Sequence, residues 1–345
     1  MRPLTVLLTA AGVPGAAALI RALRENGERE VRVVGTDMAE LAVGRHLCDA
    51  FHVVPGGSDP GFVDALLDVC ARERVDAVLP QSSYELPALA EARERFDAAV
   101  LVASPDAVRR SNDKAETYAM LDAIGAPGPA WRLARSREEV EAAAHALGYP
   151  DEDVAVKPLE SSGSRGFRRV SASADALHEL LTNRPGVAPA LRLEELLALL
   201  PETAAPQLLV MELAHGLERT IDGIARAGRI VLGHPKTREA MRAGLAMYFE
   251  TLDDEWLMDV AASIVRELAL DHFFNIQLVG DRVIEVNPRI STIVYQPDLN
   301  LPYLGVKFAL GEIAEDELAA YSSRVRPTRR ALRYFDQVEW DEPAS

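Results

Sequence analysis

The chain has 345 residues and a formal charge of −16, from 37 lysines and arginines against 53 aspartates and glutamates. That field repels a nucleic-acid backbone and an anionic membrane surface, so neither is an expected partner, and an anionic ligand would need a local cluster of cations. The length suits two or three compact units. Cys48 and Cys70 read as buried reduced thiols rather than a disulfide framework or metal knuckle. The short apolar run near the N-terminus has no small-residue cleavage site behind it, and no run of about 18 apolar residues occurs, which makes the cytoplasm the expected compartment.

In chain order, "LTVLLTA" (4–10) predicts a strand, followed by a glycine turn and the helical "AGVPGAAALIRALRENG". "VRVVGTD" (31–37), "DAVLPQS" (76–82) and "AAVLVAS" (98–104) repeat the strand signal, and "DPGFVDALLDVCARERV" has the spacing of a helix. Strands alternating with helices predict a doubly wound parallel sheet over residues 1–112. Gly12, Gly15 and Asp37 faintly suggest a dinucleotide site, but Ala10 holds the first glycine position of the fingerprint, so a structural tight turn is the better reading.

"SNDKAETYAMLDAIGAPGPAW" (111–131) opens a second unit, expected over 113–205, with Asn112 or Asp113 capping a helix that ends at Gly125. "DVAVKPLESSGSRGFRRV" (153–170) predicts two strands joined by a polar glycine and serine loop, and "ALRLEELLALLPE" an amphipathic helix. A third unit, 206–345, is strand-rich from "PQLLVMELAHGLERTIDGIA", with one clear helix in "LMDVAASIVRELAL". "FFNIQLVGDRVIEVNP" (273–288) predicts a hairpin around Gly280 and Asp281, and "RALRYFDQVEW" a last strand.

Two stretches carry chemistry. In the hairpin, alternation sets Asn275 and Gln277 on one face of the first strand and Glu285, Asn287 and Arg289 on one face of the second. Pairing Gln277 with Glu285 demands an odd number of loop residues or a bulge, because a two-residue Gly-Asp turn alone sets Gln277 against Ile284. If the pairing holds, three oxygen-bearing side chains converge without sulfur or histidine, a set that suits magnesium completed by nucleotide phosphates. The second stretch is Lys157 followed by "SSGSRG", whose glycines let backbone amides approach phosphate oxygens, although it lacks the Walker spacing.

Taken in order, "NDKAETYAMLDAIGAPGPAW", "VAVKPLESSGSRGF", "LLVMELAHGLERTIDGI" and "FNIQLVGDRVIEVNPRIS" resemble the ATP-grasp superfamily, in the branch similar to one half of the carbamoyl-phosphate synthase large chain. The resemblance covers residues 1–312 and implies a pre-ATP-grasp domain followed by a two-lobed α+β fold with ATP between the lobes. It implies that Lys114 and Lys157 reach the nucleotide phosphates. Ser161 to Gly166, with Ser162, Gly163 and Ser164, form the lid; Met211, Glu212 and Leu213 hold adenine, and Glu218 the ribose. Gln277, Glu285 and Asn287 become ligands of magnesium, or of manganese, and Arg289 stabilises the transferring phosphoryl group.

The implied reaction is ATP-dependent activation of a carboxylate as an acyl phosphate, attacked by an amine, with ADP and phosphate released. Lys236 and Arg238, in "GHPKTREAMRAG" (233–244), are candidates to hold the carboxylate; this stretch reads as a loop. His234 is the weaker candidate there, while His215 and His272 read as structural or surface groups. Relatives often continue "NPR" with small residues, whereas here Thr292 and Ile293 follow Ser291, so the second-substrate pocket should differ, with Tyr295 and Gln296 as candidate lining. The alternatives are bicarbonate activation to carboxyphosphate and a nucleotide-binding regulator without turnover. Small-molecule substrates and a homodimer complete the expectations.

Overall fold

In the computed structural model, residues 2–159, 166–182, 189–201, 206–242, 245–291 and 298–341 are described. Five strands, β1 (Leu4–Leu8), β2 (Val31–Asp37), β3 (Ala50–Val53), β4 (Ala77–Leu79) and β5 (Ala99–Val100), form a parallel sheet in the order β3-β2-β1-β4-β5. Both faces are apolar, as a parallel sheet covered by crossover helices requires. Leu7, Val34 and Val78 pack on one side with Phe62, Leu66 and Leu89 from the helices Phe62–Glu73 and Leu86–Ala92. Leu4, Val6 and Leu8 pack on the other with Leu19 and Leu23 of the helix Ala16–Arg24.

A second sheet contains β6 (Trp131–Ala134), β7 (Val154–Pro158), β8 (Arg168–Val170) and β9 (Leu208–Glu212), ordered β6-β9-β7-β8. The expected boundary at 205/206 is corrected here. β9 is an inner strand of this central sheet, because its unbroken apolar run is buried between β6 and β7. The helix Lys114–Ala123 opens the unit, with the Asp113 carboxylate accepting from the amides of Ala115 and Glu116.

The third sheet joins β10 (Glu218–Arg226), β11 (Arg229–Thr237), β13 (His272–Val279) and β14 (Arg282–Asn287) in the order β11-β10-β13-β14, all antiparallel. β12 (Tyr248–Glu250) and β15 (Arg330–Leu332) make a small separate pair, so the expected last strand spans only three residues. One face of the third sheet presents Ile221, Phe274, Ile276, Leu278 and Val286 to the helix Glu255–Glu267, whose Leu257, Ala261, Ile264 and Val265 recur at helical spacing. The helix Leu301–Ala309 is buried on nearly every side between the first and third sheets, and Gly305 is required there: a Cβ would lie 2.1 Å from the Phe273 ring.

The first part of the stretch 233–244, expected to be a loop, belongs to β11, which runs to Thr237. Cys48 and Cys70 are free, partly buried, and pushed up to about 12 by that burial. Among the described residues, no helix is long and apolar enough to cross a membrane.

Candidate active site between the second and third sheets

The β13–β14 hairpin has both a two-residue turn and a bulge. Val279 pairs with Arg282 and Leu278 with Val283 around Gly280-Asp281; then Ile284 is the extra residue, and Gln277 pairs with Glu285 and Asn275 with Asn287. Gly280 sits at φ +56, and a Cβ there would lie 2.2 Å from the carbonyl oxygen of His215. The bulge lets Val283 and Val286 both face the core while Glu285 and Asn287 stay on the side of Gln277.

That polar side extends across the sheet. Glu218, Thr220 and Asp222 of β10 alternate onto it, as do His234 and Lys236 of β11. Gln277 Nε2 and Asn287 Nδ2 both donate to Asn275 Oδ1, at 2.8 and 3.2 Å, and Asn275 Nδ2 donates to Thr220 Oγ1 and Asp222 Oδ1, at 2.6 and 3.0 Å. The network fixes the Asn275 amide and aligns the row beside it. Arg238 donates to both Glu218 and Gln277. Burial and the neighbouring Glu285 charge raise the Glu218 carboxyl, against the pull of Arg238.

Facing this row is the carboxyl end of β7, an inner strand of the central sheet. Lys157 Nζ donates to Tyr118 Oη at 2.9 Å and lies 5.1 Å from the centre of that ring, and Tyr118 Oη donates to the Ile284 carbonyl at 2.8 Å. One phenol therefore ties the lysine to the bulge that sets Glu285 in register. Burial and the charge of Lys114 lower Lys157 to about 8, with Glu285 opposing. Lys114 reaches the same strand end and donates to the Leu159 carbonyl at 2.9 Å. Arg289, past the end of β14, donates to Ser83 Oγ at 3.0 Å and to the Ile290 carbonyl at 2.9 Å.

Hydrogen bonds and charge interactions link Lys114, Lys157, Glu218, Gln277, Glu285, Asn287 and Arg238 across the two sheets, with Arg289 beyond the end of β14 bonded to Asn287. Met211 lies inside the ladders to β6 and β7, the Glu212 carboxylate accepts from the Ala130 amide at 3.1 Å, and Leu213 is the first residue beyond the strand. Gly166 sits at φ +75 against Pro158. Ser162, Gly163, Ser164, Tyr295 and Gln296 lie outside the described residues.

Lys236 is a correction. It is 1% exposed, 2.5 Å from Asp222 Oδ2 and beneath the Phe249 ring, so it supports the sheet face from inside rather than reaching a substrate carboxylate. His234 is likewise a buried strand residue, held well below its ordinary range by desolvation. His215 is exposed, and burial lowers His272 to about 4. Three contributors escaped sequence reading: Tyr118, Thr220 and Asp222. The last two had a signal, the alternation running on from Glu218. Tyr118 had none, because its role depends on a contact 166 residues away.

Two family profiles match the chain: "PylC-like, N-terminal domain" over residues 6–103 and "ATP-grasp in the biosynthetic pathway with Ter operon" over residues 204–331. The carbamoyl phosphate synthase large chain of Halomonas eurihalina is 26% identical over 252 residues, covering 68% of this chain and 22% of that protein. These matches support assignment of the chain to the ATP-grasp superfamily. The large chain of Rubrobacter xylanophilus is 32% identical over 118 residues, 34% of this chain and 11% of that one, so the chain spans about a fifth or less of these relatives.

Solved ATP-grasp structures agree on the fold. The L-amino acid ligase from Bacillus licheniformis superposes with a TM-score of 0.65 at 17% identity, over 96% of this chain and 79% of that chain. The biotin carboxylase domain dimer of Hydrogenobacter thermophilus 2-oxoglutarate carboxylase, in complex with MgADP, ADP and bicarbonate, gives 0.66 at 16% identity, over 94% and 73%. The doubly wound sheet followed by a two-lobed ATP-grasp fold is thus the architecture of this chain.

Proposed function

We propose that this chain is an ATP-dependent ligase that activates a carboxylate as an acyl phosphate for attack by an amine, releasing ADP and phosphate. The observation that carries the reading is the register of the β13–β14 hairpin, which lines up Gln277, Glu285 and Asn287 opposite Lys157. ATP enters between the central and third sheets, its phosphates toward Lys157 and Lys114, its adenine toward Met211, Glu212 and Leu213, and its ribose toward Glu218. Arg238 leaves Glu218 and Gln277 to meet the carboxylate substrate, and Arg289 faces the transferring phosphoryl group.

The metal fits the donor set. Among the described residues no cluster of three or more histidine, cysteine or acidic groups forms a self-sufficient metal site. One carboxylate beside two amide oxygens, which here accept from Arg238 and Arg289, matches magnesium's habit of binding through one or two carboxylates plus substrate once those arginines turn to the substrates. Glu285, Gln277 and Asn287 would hold it, and it would supply charge neutralisation of the phosphates.

The chain's own residues do the rest. Two anions, carboxylate and triphosphate, must meet inside a molecule of net charge −16, so Lys114, Lys157, Arg238 and Arg289 supply the local positive field. A carboxylate oxygen attacks the γ-phosphorus and ADP departs; the amine nitrogen then attacks the acyl carbon, phosphate departs and the nitrogen loses a proton. Holding the reactants in line is worth up to about 7–11 kcal/mol of the barrier. The likeness to the Hydrogenobacter dimer extends the proposal to self-association, read by sedimentation equilibrium.

The test is hydroxamate formation from hydroxylamine, ATP and a panel of carboxylates, run beside bicarbonate. The ligase reading expects a hydroxamate with at least one organic acid and no ADP release with bicarbonate alone. ADP release with bicarbonate and no hydroxamate from any acid contradicts it.

A further inference from the structure

Magnesium takes oxygen ligands, so a side-chain amide serves it only when its carbonyl, and not its NH2, faces the ion. Gln277 and Asn287 each carry both groups on one flat head, and buried hydrogen bonds decide which way the head is turned. Gln277 Nε2 and Asn287 Nδ2 lie 2.8 and 3.2 Å from Asn275 Oδ1, so both NH2 groups point to Asn275 and both carbonyl oxygens turn away from it. Those oxygens accept from Arg238 and Arg289, which have only donors to offer.

The inner end is fixed as well. Asn275 is 1% exposed, and its Nδ2 donates to Thr220 Oγ1 and to Asp222 Oδ1. Thr220 gives its one hydroxyl proton to the Ile276 carbonyl at 3.0 Å, so toward Asn275 it can only accept. Asp222 Oδ2 lies 2.5 Å from Lys236 Nζ, a buried charge contact without hydrogen-bond alignment, and a carboxylate beside an ammonium accepts rather than donates. With two acceptors on that side, Asn275 must offer its NH2 there and its oxygen to Gln277 and Asn287. Hydrogen-bond polarity therefore runs one way, from Lys236 through Asp222 and Asn275 to the two amide oxygens.

While Arg238 and Arg289 stay in place, the outer end alone would set that polarity. Once they turn to the substrates, only the buried end still holds it. We propose that Asn275, Asp222 and Lys236 are positioning residues, which keep the carbonyl oxygens of Gln277 and Asn287 toward a divalent ion when the arginines have left them. This deepens the ligase reading and rests on it. It also gives the buried lysine a task, because a buried ion pair adds little net stability over a neutral pair of similar size.

The test is calorimetric titration of the full chain with a non-hydrolysable ATP analogue over a range of magnesium concentrations, beside urea unfolding without the ion. Asn275→Ala removes the shared acceptor. Asp222→Asn combined with Lys236→Met removes both charges together at similar volume, and an amide at 222 can present either side of its head to Asn275. In both variants the magnesium concentration that gives half of the gain in analogue affinity should rise at least about tenfold, the usual effect of losing the partner of a metal ligand. Affinity without magnesium should be unchanged, since the arginines still hold the amides there. Thr220→Val, which keeps the shape and deletes one acceptor, should raise the magnesium midpoint less, and Thr220→Ser not at all. A midpoint unmoved in every variant that folds, or an equal loss of affinity with and without magnesium, overturns the inference; a purely structural role predicts lower urea stability and no shift of midpoint. Absence of any magnesium effect in the unmodified chain sinks the nucleotide reading itself, whereas an effect that is present there and identical in the variants sinks the positioning role alone.

Discussion

The first and third sheets solve opposite problems with similar residues. The first buries both faces, so its polar groups are confined to strand ends, where Thr9, Thr36, Gln81 and Glu85 gather. The third buries one face on the helix Glu255–Glu267 and gives most of the other to polar side chains, from Glu218 across to Asn287. A half-buried antiparallel sheet can present a flat array of ligands; a doubly covered parallel sheet can present only an edge. The comparison implies that stability and nucleotide chemistry separate cleanly in the third sheet, one per face.

Ile264→Ala is the most forceful way to break that separation. The side chain is fully buried against the apolar face, and its truncation should cost about 2–5 kcal/mol of unfolding free energy in a urea titration. Nucleotide affinity at low denaturant should stay within about twofold, since no polar-face residue touches it. A large loss of affinity at unchanged stability would show that the two faces are not independent.

Tyr118→Phe sharpens the comparison from the other side. It deletes the hydroxyl that accepts from Lys157 and donates to the Ile284 carbonyl, so nucleotide affinity should fall about tenfold, near the value of one hydrogen bond to a charged group. A purely structural role predicts an altered melting point with unaltered affinity.

The smallest effect is in pH. Lys157 titrates at about 8, lowered by burial and by Lys114 against the pull of Glu285. A lysine of depressed pKa is charged below that value and neutral above it, so attraction for phosphates is present at pH 7 and is lost as pH rises through 8. Nucleotide affinity should decline by up to about tenfold per pH unit beyond that point. In Tyr118→Phe the decline should begin at lower pH, because the ammonium has lost an acceptor.

Legibility followed the same division. The alternation in "FNIQLV" and "RVIEVN" made the polar face readable, and the parity of the loop gave the choice between an odd turn and a bulge; the chain uses the bulge. The end of β11 from Gly233 read as a loop because a proline stands beside His234, yet the alternate residues His234 and Lys236 are buried in the strand. The central boundary was misplaced because an apolar run such as "LLVME" does not say which sheet will bury it. The strand-end cluster of the first sheet has no periodicity, since its members come from the ends of three strands and a helix start, and only the folded chain assembles them.

The account's central claim is that Glu285, aligned by the bulge with Gln277 and Asn287, lets a divalent ion and ATP bind together. Calorimetric titration of a non-hydrolysable ATP analogue, with and without magnesium, tests it in the unmodified chain and in Glu285→Gln. The account predicts that magnesium tightens binding at least about tenfold in the former and has no effect in the latter, because a neutral amide cannot replace the one carboxylate of the set. Magnesium-independent binding in the unmodified chain, or full magnesium dependence in Glu285→Gln, would contradict it.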